Sequence, residues 1–374
     1  MHTKDLTKYF TEKAIPSSDV IIYRDHKEIY RYHCGHKDSA KTQEIKGDEL
    51  YYLYSASKVI TCTAAMQLVE RGIIGIDDPV SKYIPDYAHL TYKDDNGVHE
   101  CKNVMTIRHL FAMRGGLTYN LGTPSLKKVL EETNNQATNV QLASAFIKEP
   151  LLFEPGTSHN YSLCHDVLAA VIEVATGMSF GEYLKKNIFE PLGMKNTGFF
   201  PTEEQKKKFA AQYRYIDGEY KEIPVACVYR LSDVHESGGA GMFSCVNDYI
   251  LLSDALACHG TAYNGYQVLK PETVDLMRSN QNEYAVFNAK HNNKAGYGYA
   301  FGVRTMLIPE AARSDAPTDF EFGWDGAAGS YTAIDPKHHL SIFYAQQVLG
   351  HGWVYSDVHP TLRDTMYRIA GICD

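Results

Sequence analysis

The stretch YYLYSASK at residues 51–58 places a serine and a lysine three positions apart, at the start of a segment with helical periodicity. Side chains three residues apart lie on the same side of a helix, with Cβ atoms about 5–6 Å apart. Ser55 and Lys58 should therefore face one another. Burial lowers the pKa of a lysine, so a neutral amine beside the Ser55 hydroxyl can take up its proton. The pair predicts a nucleophilic serine, at a helix N-terminus that would favour an oxyanion.

The same spacing recurs at Ser125 and Lys128, in a different context. Pro124 precedes this copy, and the polar segment KKVLEE follows it. We interpret Ser125 as the N-cap of a surface helix. Since a chain of 374 residues should hold this pattern about once by chance, the spacing alone does not identify a catalytic serine.

Three other segments accompany YYLYSASK in a fixed order. They are FEPGTSHNYSLCHDVLAAVIEVATG at 153–177, SGGAGMFSCVNDYILLSDAL at 237–256 and FGWDGAAGSYTAIDP at 322–336. Together with LVERGIIGIDDPVSKYIPD and TIRHLFAMRGGLTY, they make nearly the whole chain resemble the serine β-lactamase-like superfamily. That group includes class C β-lactamases, DD-peptidases, D-aminopeptidases and family VIII carboxylesterases.

The resemblance implies a role for each matching residue. Ser55 matches the serine that forms an acyl-enzyme, and Lys58 matches the lysine that helps to take its proton. Tyr161 matches the tyrosine of the second motif, which would act as general base and titrate together with Lys58. The N–H groups of Ser55 and Ala327 would form the oxyanion hole. Leu163 departs from the usual Tyr-x-Asn pattern and cannot supply the asparagine amide.

The third motif of the family is usually Lys-Thr-Gly or His-Thr-Gly, and the matching residues here are Trp324, Asp325 and Gly326. Gly326 suits a close backbone approach to the substrate. Trp324 offers an apolar face and one N–H donor in place of a cation. A Trp-x-Gly motif resembles the family VIII esterases, whose substrates are often neutral esters. Asp325 would repel an anionic substrate if it faces the cleft, but it could equally point to solvent.

Strand-like segments at both ends of the chain enclose a mostly helical middle. This pattern predicts a discontinuous α/β domain, residues 1–75 and 229–374, that carries a mainly helical insertion at 76–228. The resemblance implies a β-lactamase/transpeptidase-like α/β (α+β) fold, in which helices flank an antiparallel sheet. The active site would lie in the cleft between the two domains. Residues 20–35 read as a hairpin around the turn Asp25-His26.

Composition argues against several classes of partner. The formal net charge of −8 and the absence of a long basic block argue against nucleic-acid binding. The N-terminus has no apolar signal region, and no run of about 18 apolar residues predicts a membrane span. Eight scattered cysteines without a CxxC pair fit thiols in a reducing cytosol, so we expect a cytoplasmic protein.

Other chemistries find no support in the sequence. The histidines form no recognisable metal set, and no dinucleotide fingerprint is present, so we expect neither a metal nor a cofactor. His165 and Asp166 are neighbours that point in different directions on a helix, and we interpret them as structural.

The leading hypothesis is a serine hydrolase, most specifically a carboxylesterase on neutral esters. The partner would be a small-molecule ester or amide. An alternative is a β-lactamase, a D-amino-acid peptidase or amidase, or an acyltransferase, since these share an acyl-enzyme. A non-catalytic acyl-binding sensor on the same scaffold is an alternative of another class.

Overall fold

Strands from both ends of the chain meet in a seven-stranded antiparallel sheet. The computed structural model describes residues 3–314 and 320–373. In chain order the strands are β1 (Ser17–Arg24), β2 (Lys27–Gly35), β3 (Tyr51–Tyr52), β4 (Thr91–Asp94), β5 (Gly97–Glu100), β6 (Gln212–Ile216), β7 (Glu219–Ile223), β8 (Phe243–Ser244), β9 (Tyr297–Tyr299), β10 (Arg304–Met306), β11 (Phe322–Asp325), β12 (Tyr331–Asp335), β13 (Leu340–Ala345) and β14 (Val348–Leu349). The large sheet has the order β2-β1-β13-β12-β11-β10-β9.

Helices cover both faces of this sheet. In chain order they are α1 (Thr3–Lys13), α2 (Ser57–Glu70), α3 (Ile107–Phe111), α4 (Pro124–Glu132), α5 (Asn139–Ala145), α6 (Cys164–Thr176), α7 (Phe180–Leu184), α8 (Glu190–Leu192), α9 (Glu203–Lys206), α10 (Val246–Ala257), α11 (Pro271–Met277), α12 (Tyr284–Lys290) and α13 (Val358–Ile369). Small sheets pair β3 with β8, β4 with β5, and β6 with β7 and β14.

Side chains of β1 alternate between two cores. Ile21 belongs to the large core that contains α2, α6 and α10. Val20 and Ile22 belong to a second core, which they share with Leu6 of α1 and Leu362 of α13. This alternation follows from the two-residue period of a strand. Because helices cover both faces, β12 and β13 are buried at every position.

Helix α2 is a core helix that carries a lysine. Its residues from Ser57 to Leu68 are all buried, and it packs against α6. A helix with apolar residues on all its faces is stable only when protein surrounds it, and the sequence of α2 is apolar on most faces. Lys58, in its first turn, is therefore buried as well.

The structure confirms the predicted fold class. An antiparallel sheet built from both chain ends is flanked by helices, and Asp25 and His26 form the predicted β1–β2 turn with φ angles of 49° and 64°. The division into two domains stays a prediction. The segment 76–228 holds α3 to α9, but it also contains four strands, β4 to β7.

The β4–β5 and β6–β7 hairpins were not anticipated by the sequence analysis. Strands β4, β5 and β7 have no buried residue, and in β6 only Gln212 and Tyr213 are buried. The sequence of β7, EYKEI, has no apolar alternation. The turn residues Asp217 and Gly218 were an available signal, since Asp-Gly between two strands favours a tight hairpin.

The second serine–lysine copy differs from its predicted role. Thr123, not Ser125, is the N-cap of α4, and its side chain accepts a hydrogen bond from the Leu126 N–H. Ser125 lies in the first turn, where its hydroxyl bonds to the carboxylate of Glu149. Proline at position 124 occupies the first helical position, so the cap falls one residue before it.

Within the described ranges, no single helix has both the length and the apolar composition needed to cross a membrane. A pair of helical segments, Cys164–Thr176 and Phe180–Leu192, reaches that length and composition only in combination, across a bend of 77°.

Candidate active site

Ser55 lies in a short 3-10 turn, Tyr54–Ala56, between β3 and α2. Strand β3 ends at Tyr52: Leu53 has helical backbone angles, and Tyr54 has a φ of 48°. A bulky residue in this left-handed region is strained and needs strong support from its surroundings. The Tyr54 ring is completely buried, and its hydroxyl accepts a hydrogen bond of 2.8 Å from Gln212. The turn leaves Ser55 partly exposed between two buried neighbours.

The Lys58 amine lies directly beside the serine. Its Nζ is 3.1 Å from Ser55 Oγ, 2.9 Å from the Tyr119 hydroxyl and 2.6 Å from the carbonyl oxygen of Gly239. The side chain is 0% exposed. Burial lowers the pKa of Lys58 to about 8, although the charge of Asp166 acts in the opposite direction. A substantial fraction of Lys58 is therefore neutral close to physiological pH.

Asp166 anchors the segment around Gly239, which contacts the Lys58 amine. Its Oδ1 accepts hydrogen bonds from the Ser237 hydroxyl at 2.5 Å and from the Gly239 N–H at 3.3 Å. The Gly239 carbonyl in turn contacts Lys58. Asp166 points away from His165, whose ring contacts the carbonyl of Phe111. The two neighbours form no pair, as predicted, but Asp166 is linked to the active-site lysine.

Tyr161 closes the other side of Ser55. Its ring stacks on Trp324 with centroids 5.5 Å apart, and the Trp324 indole N–H donates to its hydroxyl at 2.8 Å. Lys58 Nζ lies 4.6 Å from the centre of the Tyr161 ring. Burial raises the pKa of Tyr161 well above its usual value, while hydrogen bonds from Ser55 and Trp324 lower it. These directions favour Lys58, rather than a resting Tyr161 phenolate, as the proton acceptor.

Tyr119 is a site residue that the sequence analysis missed. Its hydroxyl accepts a hydrogen bond from Lys58, and its ring packs against Tyr161 and Tyr229, with centroid distances of 5.8 and 5.7 Å. The chain has 27 tyrosines, so residue type gave little reason to choose this one. With Ser55 Oγ and the Gly239 carbonyl, the Tyr119 hydroxyl is the third hydrogen-bond partner of the Lys58 amine.

Gly326 is needed for a contact within the protein. A Cβ atom at this position would lie 2.1 Å from the carbonyl oxygen of Leu53 and 2.3 Å from Ser330 Oγ. Ser330 also donates to the Leu53 carbonyl at 2.8 Å. The glycine therefore lets the turn after β11 pack directly on the backbone that precedes Ser55. The close approach seen in the structure is to Leu53, and the predicted approach of Gly326 to the substrate stays a prediction.

Asp325 is buried and forms an ion pair with Lys294, so it does not point to solvent. Burial acts to raise the pKa of Asp325, but the charges of Lys294, His359 and Arg304 outweigh it and lower the pKa. Lys294 Nζ also lies 5.2 Å from the centre of the Trp324 ring. The third motif has no lysine of its own, but Lys294 brings a cation to the same place, and Asp325 balances its charge.

These residues surround a cleft of about 330 Å³. Its walls are mainly aromatic, and the lining comprises Ser55, Tyr119, Tyr161, Tyr229, His291, Asn293, Lys294, Trp324, Asp325, Ala327 and Tyr355. Burial lowers the pKa of His291 to about 3, so this ring is neutral. The structure thus brings together every residue that the sequence predicted for the site, and the predicted oxyanion residues Ser55 and Ala327 share one cleft. Their roles remain predictions.

The arrangement suits acyl transfer to a serine. A partly exposed hydroxyl stands beside a buried amine that can lose its proton, and aromatic rings form a cleft of low polarity. Such a site excludes water from charged groups and strengthens their electrostatic interactions. Among the described residues, the group of His, Cys and Asp side chains that could hold a metal ion lies outside this lining.

Comparisons with known proteins agree with the sequence motifs. The Beta-lactamase family model matches residues 3–364. The chain is 28% identical to "Esterase EstB" of Burkholderia gladioli, with 95% of this chain and 92% of that protein covered. It is 26% identical to a "Putative D-alanyl-D-alanine carboxypeptidase" of Escherichia coli (strain K12), with coverages of 87% and 77%.

A solved structure shows the same fold. The structure of "EstCE1, a hydrolase with promiscuous acyltransferase activity" superposes with a TM-score of 0.80 over 97% of both chains, at 24% identity. The family match extends across both halves of the large sheet and every residue of the candidate site. The chain belongs to the Beta-lactamase family of serine hydrolases.

Proposed function

We propose that this enzyme is a carboxylesterase that forms an acyl-enzyme at Ser55. The observation that carries the proposal is the 3.1 Å contact between Ser55 Oγ and Lys58 Nζ, in a site where burial lowers the lysine pKa to about 8. Trp324 in the third motif and the similarity to the esterase EstB support an ester substrate.

Acylation begins with a proton transfer from Ser55 to the neutral Lys58 amine. Ser55 Oγ attacks the ester carbonyl, and the backbone N–H groups of Ser55 and Ala327 stabilise the oxyanion. The Tyr161 hydroxyl, held by the Trp324 indole, protonates the departing alcohol and recovers a proton from Lys58. Water then attacks the acyl-enzyme by the reverse sequence of proton transfers and releases the acid.

The shape and charge of the cleft favour a neutral small molecule. Aromatic side chains provide most of its wall, and the charges of Lys294 and Asp325 offset each other. We place the enzyme in the cytosol, with a small-molecule ester as its partner and with no nucleic acid or membrane. The scattered cysteines, which include no CxxC pair, are the sequence feature that supports a reducing compartment. Cell fractionation with an epitope-tagged chain tests the location.

Labelling with a fluorophosphonate probe, followed by intact-mass analysis, tests the nucleophile. Wild type should gain one probe mass, and Ser55→Ala should gain none. Ser125→Ala is a matched control because it removes the serine of the other serine–lysine copy, and it should label like wild type. Labelling of Ser55→Ala at the wild-type rate would show that the assignment is wrong.

Amide substrates are a second candidate, and Lys294 is the observation that favours them. It places a cation next to Trp324, where a substrate carboxylate could compete with Asp325 for it. The similarity to a putative D-alanyl-D-alanine carboxypeptidase points the same way. A turnover panel of nitrophenyl esters, nitrocefin and D-amino-acid amides separates the two. Rapid nitrocefin turnover with little ester hydrolysis would reverse the ranking, and a persistent adduct without turnover would indicate a sensor.

Transfer of the acyl group to another alcohol competes with hydrolysis in such a site. EstCE1, which shares the fold, is described as a hydrolase with promiscuous acyltransferase activity. Adding a small alcohol to the ester assay tests this outcome, since an acceptor alcohol would yield a new ester instead of the free acid.

A further inference from the structure

Three possible metal ligands from distant parts of the chain meet at the end of α10. His26 comes from the β1–β2 turn, Asp254 from the last turn of α10, and Cys258 immediately follows that helix. His26 Nδ1 is 2.7 Å from Asp254 Oδ2, and Cys258 Sγ is 4.0 Å from Asp254 Oδ1. One donor atom from each residue lies within 4.8 Å of the others. None of the three lines the catalytic cleft.

Burial and charge make this cluster suitable for a cation. The Asp254 side chain is 1% exposed, while that of His26 is 32% exposed, so the cluster is open on one side. Asp25 precedes His26 in the β1–β2 turn and adds a second carboxylate to this region. Arg24 lies 3.8 Å from Asp25, but its guanidinium also donates to the Ala370 carbonyl.

Two histidines outside the three-residue cluster connect the neighbouring turns. The rings of His259, next to Cys258, and His339, in the β12–β13 turn, lie edge to face at 5.3 Å. His339 Nδ1 is 2.7 Å from Asp25 Oδ1. The Asp25 N–H donates to the His339 carbonyl at 3.0 Å, so the two turns are joined. These contacts hold the β1–β2 turn, which carries His26, against the β12–β13 turn.

We propose that His26, Asp254 and Cys258 bind a divalent transition-metal ion of the zinc type. Imidazole nitrogen, carboxylate oxygen and thiolate sulfur are together the donors that zinc accepts, whereas calcium and magnesium prefer oxygen alone. Cys258 loses its proton to solvent when it coordinates, and water completes four-coordination. The ion would tie the β1–β2 turn to the end of α10, in a role separate from ester hydrolysis.

A cobalt titration of the full-length, chelator-treated enzyme tests this site. Co²⁺ should bind at one equivalent and give a near-ultraviolet thiolate-to-cobalt charge-transfer band, which Zn²⁺ then removes by competition. Cys258→Ser should lose the charge-transfer band. Cys34→Ser, which changes another partly buried cysteine outside the cluster, should retain it.

Thermal unfolding provides a second measurement that does not depend on the colour of the complex. Zn²⁺ at 100 times its dissociation constant should raise the wild-type melting temperature by about 3 °C. This shift should disappear in His26→Ala and in Cys258→Ser, while both variants keep wild-type ester turnover. The proposal is wrong if wild type binds no stoichiometric Co²⁺ or Zn²⁺ at micromolar concentration, or if the charge-transfer band survives in Cys258→Ser.

Discussion

The chain contains two serine–lysine pairs with identical spacing, and the structure gives them opposite surroundings. Ser55 and Lys58 lie at the start of a core helix, and Lys58 is completely buried. Ser125 and Lys128 lie at the start of α4, where the Lys128 side chain is 73% exposed and 3.7 Å from Glu132.

This comparison shows that burial, rather than spacing, makes a lysine useful as a base. Lys58 contacts a serine hydroxyl, a tyrosine hydroxyl and a carbonyl oxygen, and its pKa is lowered to about 8. Lys128 pairs with the Glu132 carboxylate on the solvent-exposed surface, where such an ion pair contributes little to stability. The first pair has the surroundings of a catalytic site, and the second has those of a helix surface.

Removal of each serine hydroxyl should give the largest contrast between the pairs. Ser55→Ala should lower kcat/KM for a nitrophenyl ester by about 10⁴-fold or more, because the covalent path is lost. Ser125→Ala should stay within about twofold of wild type, since Ser125 contacts no reacting group. A loss of similar size in both variants would remove the distinction.

Removal of each lysine amine should give the next largest contrast. Lys58→Met should lower the acylation rate by about 10²–10⁴-fold, the usual contribution of a general base. Methionine fills a similar apolar volume, so circular dichroism should remain unchanged. Lys128→Met is the matched control, and its stopped-flow acylation rate should equal that of wild type. Equal rates for Lys58→Met and wild type would contradict the role of Lys58.

Asp166→Asn should change the pH at which the hydrolysis rate rises. The Asp166 charge raises the pKa of Lys58 against the larger effect of burial, so its removal should lower that pKa further. Lys58 must be neutral to accept a proton, and the rising limb of the rate profile should therefore move to lower pH. Ester hydrolysis measured from pH 5 to 10 checks the direction. A shift to higher pH would contradict the proposed electrostatic link.

The effects on the free energy of unfolding should be the smallest. Here Ser125→Ala should cost more than Ser55→Ala, the reverse of their effects on activity. The Ser125 hydroxyl bonds to the Glu149 carboxylate and to the Ala145 carbonyl, at 3.0 Å for the latter. Ser125→Ala should reduce the free energy of unfolding by about 1 kcal/mol, as expected for such hydrogen bonds. Ser55→Ala should reduce it less, because Lys58 keeps the Tyr119 hydroxyl and the Gly239 carbonyl as hydrogen-bond partners. Denaturant titration of both variants tests this order.

The sequence motifs and the family resemblance were sufficient to predict the fold class. Spacing pointed to Ser55 and Lys58, the resemblance added Tyr161 and Trp324, and the structure places these four side chains close together, while their roles stay predictions. These residues sit in short motifs whose type and order are visible along the chain. Apolar β-forming runs predicted strands at both ends of the chain, and the family resemblance implied that they form one antiparallel sheet.

Contacts between distant segments could not be predicted in this way. Tyr119 contacts Lys58 from 61 residues away, and the Gly239 carbonyl does so from 181 residues away. Lys294 pairs with Asp325 although nothing in the sequence around it suggests a site. Gly326 is required by the Leu53 backbone, which only the folded chain brings near. Such contacts depend on packing and burial, which residue type and spacing do not encode.

The pH dependence of the wild-type acylation rate tests most directly whether burial turns Lys58 into the base. Stopped-flow release of nitrophenol under single-turnover conditions measures this step without interference from deacylation. If Lys58 accepts the Ser55 proton, the rate should rise with pH through a midpoint of about 8, and Lys58→Met should lose this dependence. A midpoint near 10.5, the ordinary lysine value, or a flat profile would contradict a buried, neutral Lys58 as the base.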